Sequence, residues 1–141
     1  MENWVADRLR LKQGRAYSIE REPHVAGEKE PDIRFRPKAT DASVAMEIKV
    51  AETWTLKQLD VALTNQLCKR YLRARDARHG ILLLVYKKRR PRGWKENGAF
   101  VGFDFDKVVI RLRALATQIA GAAPDSPQPD ICVLDVSTCT R

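Results

Sequence analysis

Apolar residues recur at two different spacings along the chain, and the switches between them mark its elements. Trp4, Val5, Ala6 and Leu9 fall on one side of a helix over Asn3 to Gln13, with Gly14 placed to end it. Ala16 to Glu22 reads as a short strand and Pro23 to Glu30 as a polar connection. Pro31-Asp32-Ile33-Arg34-Phe35-Arg36 alternates with the period of two of a half-buried strand, its proline at the start, where a missing N–H is tolerated. After a loop at Lys38 to Asp41, Val44 to Val50 alternates again, so the two strands form a hairpin. Thr55 and Gln58 have the spacing of a capping box, and Leu56, Leu59, Leu63, Leu67 and Tyr71 carry the helix that follows to about Arg75. Ile81 to Tyr86 is apolar throughout, as a central strand covered on both faces must be. A second long helix spans Phe105 to Ala120 and ends at Gly121, and Ile131 to Val136 forms a last strand after a proline-rich connection.

The predicted order is αβββαβαβ, an α/β fold with a mixed sheet and helices on both sides. A strand, a long helix and a buried strand in succession imply a parallel crossover. At 141 residues the chain makes one domain with a real core, without repeats or low-complexity tracts. The start at a helix and the short tail suit a fragment of a larger protein.

Composition narrows the classes. Hydrophobic residues at 44% and charged residues at 31% describe an ordinary globular chain, not a disordered one. No apolar run is long enough for a membrane helix, and the N-terminus does not read as a signal peptide. Cys68, Cys132 and Cys139 lack CxxC spacing, which disfavours a disulfide scaffold or a cysteine zinc site and favours a reduced, cytoplasmic setting. No GxxxxGK[ST] loop is present, so the chain is not itself a P-loop ATPase.

The net charge of +8 suggests a polyanionic partner, and its distribution says where. Lys87, Lys88, Arg89, Arg90, Arg92 and Lys95 crowd into one stretch whose Pro91 and Gly93 mark a loop, a candidate phosphate-contacting surface. Trp94 in that loop either stacks on a base or anchors its own loop.

The hairpin carries the candidate chemistry. A four-residue loop at Lys38 to Asp41 places Ile33 opposite Met46 and Phe35 opposite Val44 on an apolar face, and Asp32 opposite Glu47 on the other. Facing Cβ atoms lie only about 4.5–5.5 Å apart, so the two carboxylates repel unless a cation sits between them. Mg²⁺ takes hard oxygen ligands and retains waters for chemistry. Lys49 projects from the same face as Glu47, where its ammonium can stabilise charge developing on a phosphate or orient the attacking water. The backbone carbonyl of Ile48 is a further candidate ligand. The structural alternative is a Lys49 salt bridge at a sheet edge.

Pro31-Asp32 followed by Glu47-Ile48-Lys49 resembles the PD and ExK motifs of the PD-(D/E)XK, or restriction-endonuclease-like, nucleases, and the αβββαβ order resembles their core. Two further stretches, Asn65 to Leu72 and Arg78 to Val85, are similar to nuclease-like domains appended to bacterial ATPase or defence proteins. The resemblance implies that Asp32 and Glu47 bind Mg²⁺ or Mn²⁺, that Lys49 acts in catalysis, and that an additional Glu completes the site. Glu22 matches the appended-domain branch, Glu2 sits where junction-resolving relatives place theirs, and Glu20 fits less well. Gln66 on the crossover helix is an auxiliary candidate, with a polar flank of the apolar stripe as its structural alternative.

The function expected is Mg²⁺-dependent endonucleolytic hydrolysis of DNA with weak sequence specificity, in bacterial defence or DNA processing, since few base-reading elements are visible. The alternatives are a catalytically inactive nucleic-acid-binding module on the same fold and a structural or partner-binding domain. A homodimer, or attachment to a larger ATPase or defence protein, would supply the assembly. His24 and His79 have no partner motif, and Tyr71 reads as core. Asp104 and Asp106 suit the start of the last long helix.

Overall fold

The computed structural model describes residues 2–12, 17–21, 30–96 and 99–138. Its first helix, α1 (Glu2–Lys12), is followed by three antiparallel strands, β1 (Tyr17–Arg21), β2 (Ile33–Pro37) and β3 (Val44–Val50). A helical segment then crosses to β4 (His79–Tyr86), which pairs parallel with β3. Two short strands, β5 (Trp94–Glu96) and β6 (Ala99–Phe103), form a separate ribbon. α3 (Phe105–Ala120) leads to β7 (Gln128–Asp135), parallel to β4. The result is an α/β fold with a mixed five-stranded sheet in the order β1-β2-β3-β4-β7. No helix among the described residues is long and apolar enough to cross a membrane.

Alternation along the strands divides the core in two. Ile19, Ile33, Met46, Ile48, Leu83 and Val85 point to one face and pack against Val5 and Ala6 of α1. Ala45, Leu82, Leu84 and Ile131 point to the other, beneath Leu59, Leu63, Leu67, Val108 and Leu112 of the crossover helix and α3. Burying each of these large aliphatic side chains stabilises the fold by about 1.5–3 kcal/mol.

The crossover helix changes character midway. It opens with the predicted capping box, Gln58 N donating to Thr55 Oγ1 at 3.1 Å and Thr55 N to Gln58 Oε1 at 2.9 Å. α2 (Leu56–Val61) continues without a break into a π-helical stretch, Ala62–Tyr71. The spacing of the apolar residues gives a reason. Leu59, Leu63, Leu67 and Tyr71 recur strictly every four, which drifts by about 40° per step on a 3.6-residue turn. A helix closed by i→i+5 bonds has a wider turn, so a four-residue repeat stays nearer to one face.

Several expectations need correction. The crossover helix stops at Tyr71, not near Arg75, because Leu72 leaves helical geometry (φ −102°, ψ 35°) and buries its side chain against the sheet. Gly80 makes this possible, since a Cβ there would lie 2.8 Å from Leu72 Cδ1. Trp4 does not share the buried face of α1. Val5, Ala6 and Leu9 form a narrow stripe, while Trp4 is 50% exposed under the Arg8 guanidinium. The β5–β6 ribbon adds two strands to the αβββαβαβ order. β7 begins earlier and ends one residue sooner than Ile131 to Val136, its pairing with β4 running from His79↔Gln128 to Tyr86↔Asp135. The second long helix matches its predicted span, with Asp104 capping it by accepting from Lys107 N at 3.0 Å. Gly14, Glu22, His24, Cys139 and most of the Pro23 to Glu30 connection lie outside the described residues.

Candidate active site

The predicted hairpin register is the one observed: Ile33 pairs with Met46 and Phe35 with Val44. Continued by one residue, it sets Asp32 across from Glu47. β3 lies at the centre of the sheet, so the trio is not at an edge. Glu47 and Lys49 share the face of Ala45, which the crossover helix covers. Asp32, Glu47 and Lys49 are 8%, 4% and 9% exposed, an unusual depth for three ionisable side chains.

Three contacts place Asp32. Pro31 is fully buried and fixes the backbone before it. Tyr71 Oη donates to the Glu30 carbonyl at 2.7 Å, fastening the incoming segment to the end of the π-helical stretch. Ile48 N donates to Asp32 Oδ2 at 2.7 Å, joining the carboxylate to the middle of β3. This contact involves the Ile48 amide, whereas the candidate ligand on that residue is its carbonyl.

Lys49 Nζ donates to Glu47 Oε1 at 2.8 Å and lies 4.7 Å from the centroid of the Trp54 ring. Glu47 Oε2 is buried and has no hydrogen-bond partner among the described residues. An unpartnered buried carboxylate oxygen costs several kcal/mol unless a donor or a cation meets it. Burial first, then Glu47 and, more weakly, Asp32, hold the Tyr71 phenol above its ordinary pKa, with Arg70 opposing them. The phenol therefore feels both carboxylates while remaining a proton donor at neutral pH.

These donors suit a hard divalent cation: two carboxylates, one of them with an unmatched buried oxygen, and neighbouring backbone carbonyls. No three His, Cys, Asp or Glu side chains cluster among the described residues. Mg²⁺ is commonly held by only one or two protein carboxylates, its other positions filled by water and substrate oxygens.

The other candidates are scattered. Glu20 is joined to Arg36 at 2.6 Å in an exposed ion pair. α1, which carries Glu2, packs on the sheet face opposite Glu47, and the Glu2 side chain lies outside the described residues, as does Glu22. Gln66 is on the π-helical stretch, its Oε1 buried and without a partner among the described residues. It lines a cavity of about 490 Å³ together with Trp54 and Arg70. A larger, mostly apolar cavity of about 750 Å³ lies further along the same helix against Ile119 and Pro127 and touches none of the trio. Cys68 borders it, but burial pushes its thiol up to about 11, so it is protonated and unreactive at neutral pH.

Lys87, Lys88, Arg89, Arg92 and Lys95 of the basic run are exposed. Arg90 differs: its Nη1 donates to the carbonyls of Glu52 and Trp54 at 3.3 and 3.1 Å, and its guanidinium lies over the Trp94 ring. Trp94 is fully buried, packed near Tyr86 and Phe105, and its Nε1 donates to the Trp54 carbonyl at 2.9 Å. Of its two readings, loop anchor is the observed one. Gly93, with φ 61°, supplies the left-handed turn before it.

Sequence reasoning missed Trp54 and placed Tyr71 only in the core. Trp54 carries Lys49 on its ring and both loop anchors on its carbonyl, so one residue connects the trio to the basic loop. Its one signal was an aromatic directly before the capping box, on the exit from the Glu47–Lys49 strand. Comparison of the chain with protein-family models, curated proteins and solved structures returned no match.

Proposed function

We propose that the chain is a metal-dependent nuclease of the PD-(D/E)XK, restriction-endonuclease-like type that hydrolyses phosphodiester bonds in DNA with little sequence preference. One observation carries the reading: Asp32, Glu47 and Lys49 are buried together on the central sheet, with a Glu47 oxygen left unpartnered. The β1-β2-β3-β4 order, with a helix crossing between parallel β3 and β4, supports the αβββαβ core that the resemblance implies.

Asp32 and Glu47 would hold Mg²⁺ or Mn²⁺, with the Ile48 carbonyl as a further oxygen and Gln66 as an auxiliary. When bound, such a cation polarises a phosphoryl oxygen and offsets the charge that builds on it. Lys49 supplies the second positive charge. Its ammonium orients the attacking water and stabilises the transition state as the water oxygen bonds to phosphorus and the bond to the leaving sugar oxygen breaks. Trp54 limits where that ammonium can go, and Tyr71 keeps the Asp32 segment in place. The exposed cations of the 87–95 loop follow the phosphate backbone, which gives affinity without base reading.

A plasmid-nicking assay with Mg²⁺ or Mn²⁺ tests the reading. Asp32→Ala and Lys49→Ala are each expected to lower the rate at least about a hundredfold. Equal cleavage by wild type and both variants overturns the proposal. A second reading, an inactive nucleic-acid-binding module, draws on the direct Lys49–Glu47 pair, which already neutralises half of the acidic pair. Tight DNA binding with no metal-dependent cleavage would favour it.

A further inference from the structure

We infer that the cavity beside Trp54 receives an unpaired nucleobase, so that the substrate is single-stranded or frayed at the point of cleavage. The inference rests on the nuclease reading and specifies its substrate. No residue of the trio lines the cavity, and Trp54 is the link between them: it lines the cavity, and its ring lies 4.7 Å from Lys49 Nζ. A base held there belongs to a nucleotide next to the phosphate that Lys49 faces.

The lining has the chemistry of a nucleotide site. Trp54 offers an aromatic surface for stacking, and Val61 and Ala62 add apolar wall. Gln66 also lines the cavity, and its Oε1, buried and without a partner among the described residues, can accept from a base edge once the side chain turns outward. Lys57 and Arg70, both exposed, stand where a flanking phosphate would need a cation. A volume of about 490 Å³ falls inside the roughly 300–1,000 Å³ range of small-molecule pockets. A base inside a duplex has its faces stacked and its edge paired, so it can enter such a cavity only after leaving the helix, and a single strand avoids that cost.

The test uses the full chain and one oligonucleotide carrying 2-aminopurine, single-stranded or annealed as a blunt duplex. Binding is read with Ca²⁺ in place of Mg²⁺, and cleavage with Mg²⁺. Wild type is expected to bind the single strand at least about tenfold tighter than the duplex, with quenching of the 2-aminopurine as it stacks. Val61→Trp, at an exposed position of the wall, is expected to fill the cavity and weaken single-strand binding about tenfold. Trp54→Ala should abolish the quenching and Trp54→Phe should retain most of it. Equal wild-type binding of the two forms, or unchanged single-strand binding by Val61→Trp, overturns the inference. Duplex cleavage that depends on Asp32 would then leave the nuclease reading standing. Quenching and single-strand preference without cleavage under any metal would remove the nuclease reading and keep the base site.

Discussion

The acidic trio and the basic loop are two charge clusters that the fold treats in opposite ways. The trio is held at the centre of the sheet, each residue less than a tenth exposed, with Glu47 Oε2 left without a partner among the described residues. The loop leaves five of its six cations in solvent and keeps its shape through Trp94 and Arg90. Solvated charge on a loop has little energetic consequence, so its presence says little about function. Buried charge is expensive to maintain, so three such groups held together are the feature that the proposed cation would account for. Trp54 ties the two regions together and makes the contrast testable within one molecule.

The largest effect on stability is expected at Lys49. Lys49→Met keeps the length of the side chain and removes the ammonium, leaving both oxygens of a buried Glu47 carboxylate without a partner among the described residues. Removing one member of a buried pair costs about 3–5 kcal/mol, a fall in Tm of roughly 10–15 °C for a domain of this size. Millimolar Mg²⁺ should return much of that loss, because the cation binds the folded state and takes the place of the missing charge. Thermal or urea unfolding with and without Mg²⁺ measures both. An apo variant as stable as wild type would break the comparison, since the trio would then be no more costly than the loop.

Trp94→Phe comes next. It removes the 2.9 Å bond from Nε1 to the Trp54 carbonyl while leaving an aromatic ring near Tyr86 and Phe105. A loss of about 1–2 kcal/mol is expected in urea unfolding. If the loop depends on Trp54 for its position, nicking activity should fall together with stability. Lost stability with unchanged nicking would show the two regions to be independent.

How far the sequence anticipated this contrast differs by region. The hairpin register was legible because the side-chain period of two allows few pairings and the apolar pairs Ile33/Met46 and Phe35/Val44 select among them, although the connection spans 38–43 and not the four residues Lys38 to Asp41. α3 was legible through its cap and its terminal glycine. The π-helical stretch was not, although its strict four-residue repeat was in view, because α-helical spacing tolerates the same residues over a few turns. The β5–β6 ribbon was missed for a different reason. Its strands are very short, and the basic run before it reads as loop, although the Asn97–Gly98 dipeptide is a hairpin signal. Trp54 and Tyr71 acquire their roles only through tertiary contacts, with Lys49 on one side and the Glu30 carbonyl on the other. No local pattern carries that information.

The smallest stability effect, and the sharpest division within the loop, is expected from replacing its cations one by one. Lys88→Ala and Arg89→Ala remove exposed charge, so each should change stability by less than about 0.5 kcal/mol. If both side chains meet phosphates, the double variant should lower the slope of log K against log salt by roughly 2 for double-stranded DNA, or somewhat less for a single strand. Arg90→Ala should behave in the opposite way. Its guanidinium is occupied by the Glu52 and Trp54 carbonyls, so its loss costs about 1 kcal/mol of stability and leaves the salt slope nearly unchanged. Fluorescence anisotropy across a salt series, with urea unfolding of the same variants, separates the two behaviours. A salt slope that falls equally for all three positions would mean that Arg90 leaves its carbonyls to meet the nucleic acid, and that the loop is remodelled on binding rather than presented ready-made.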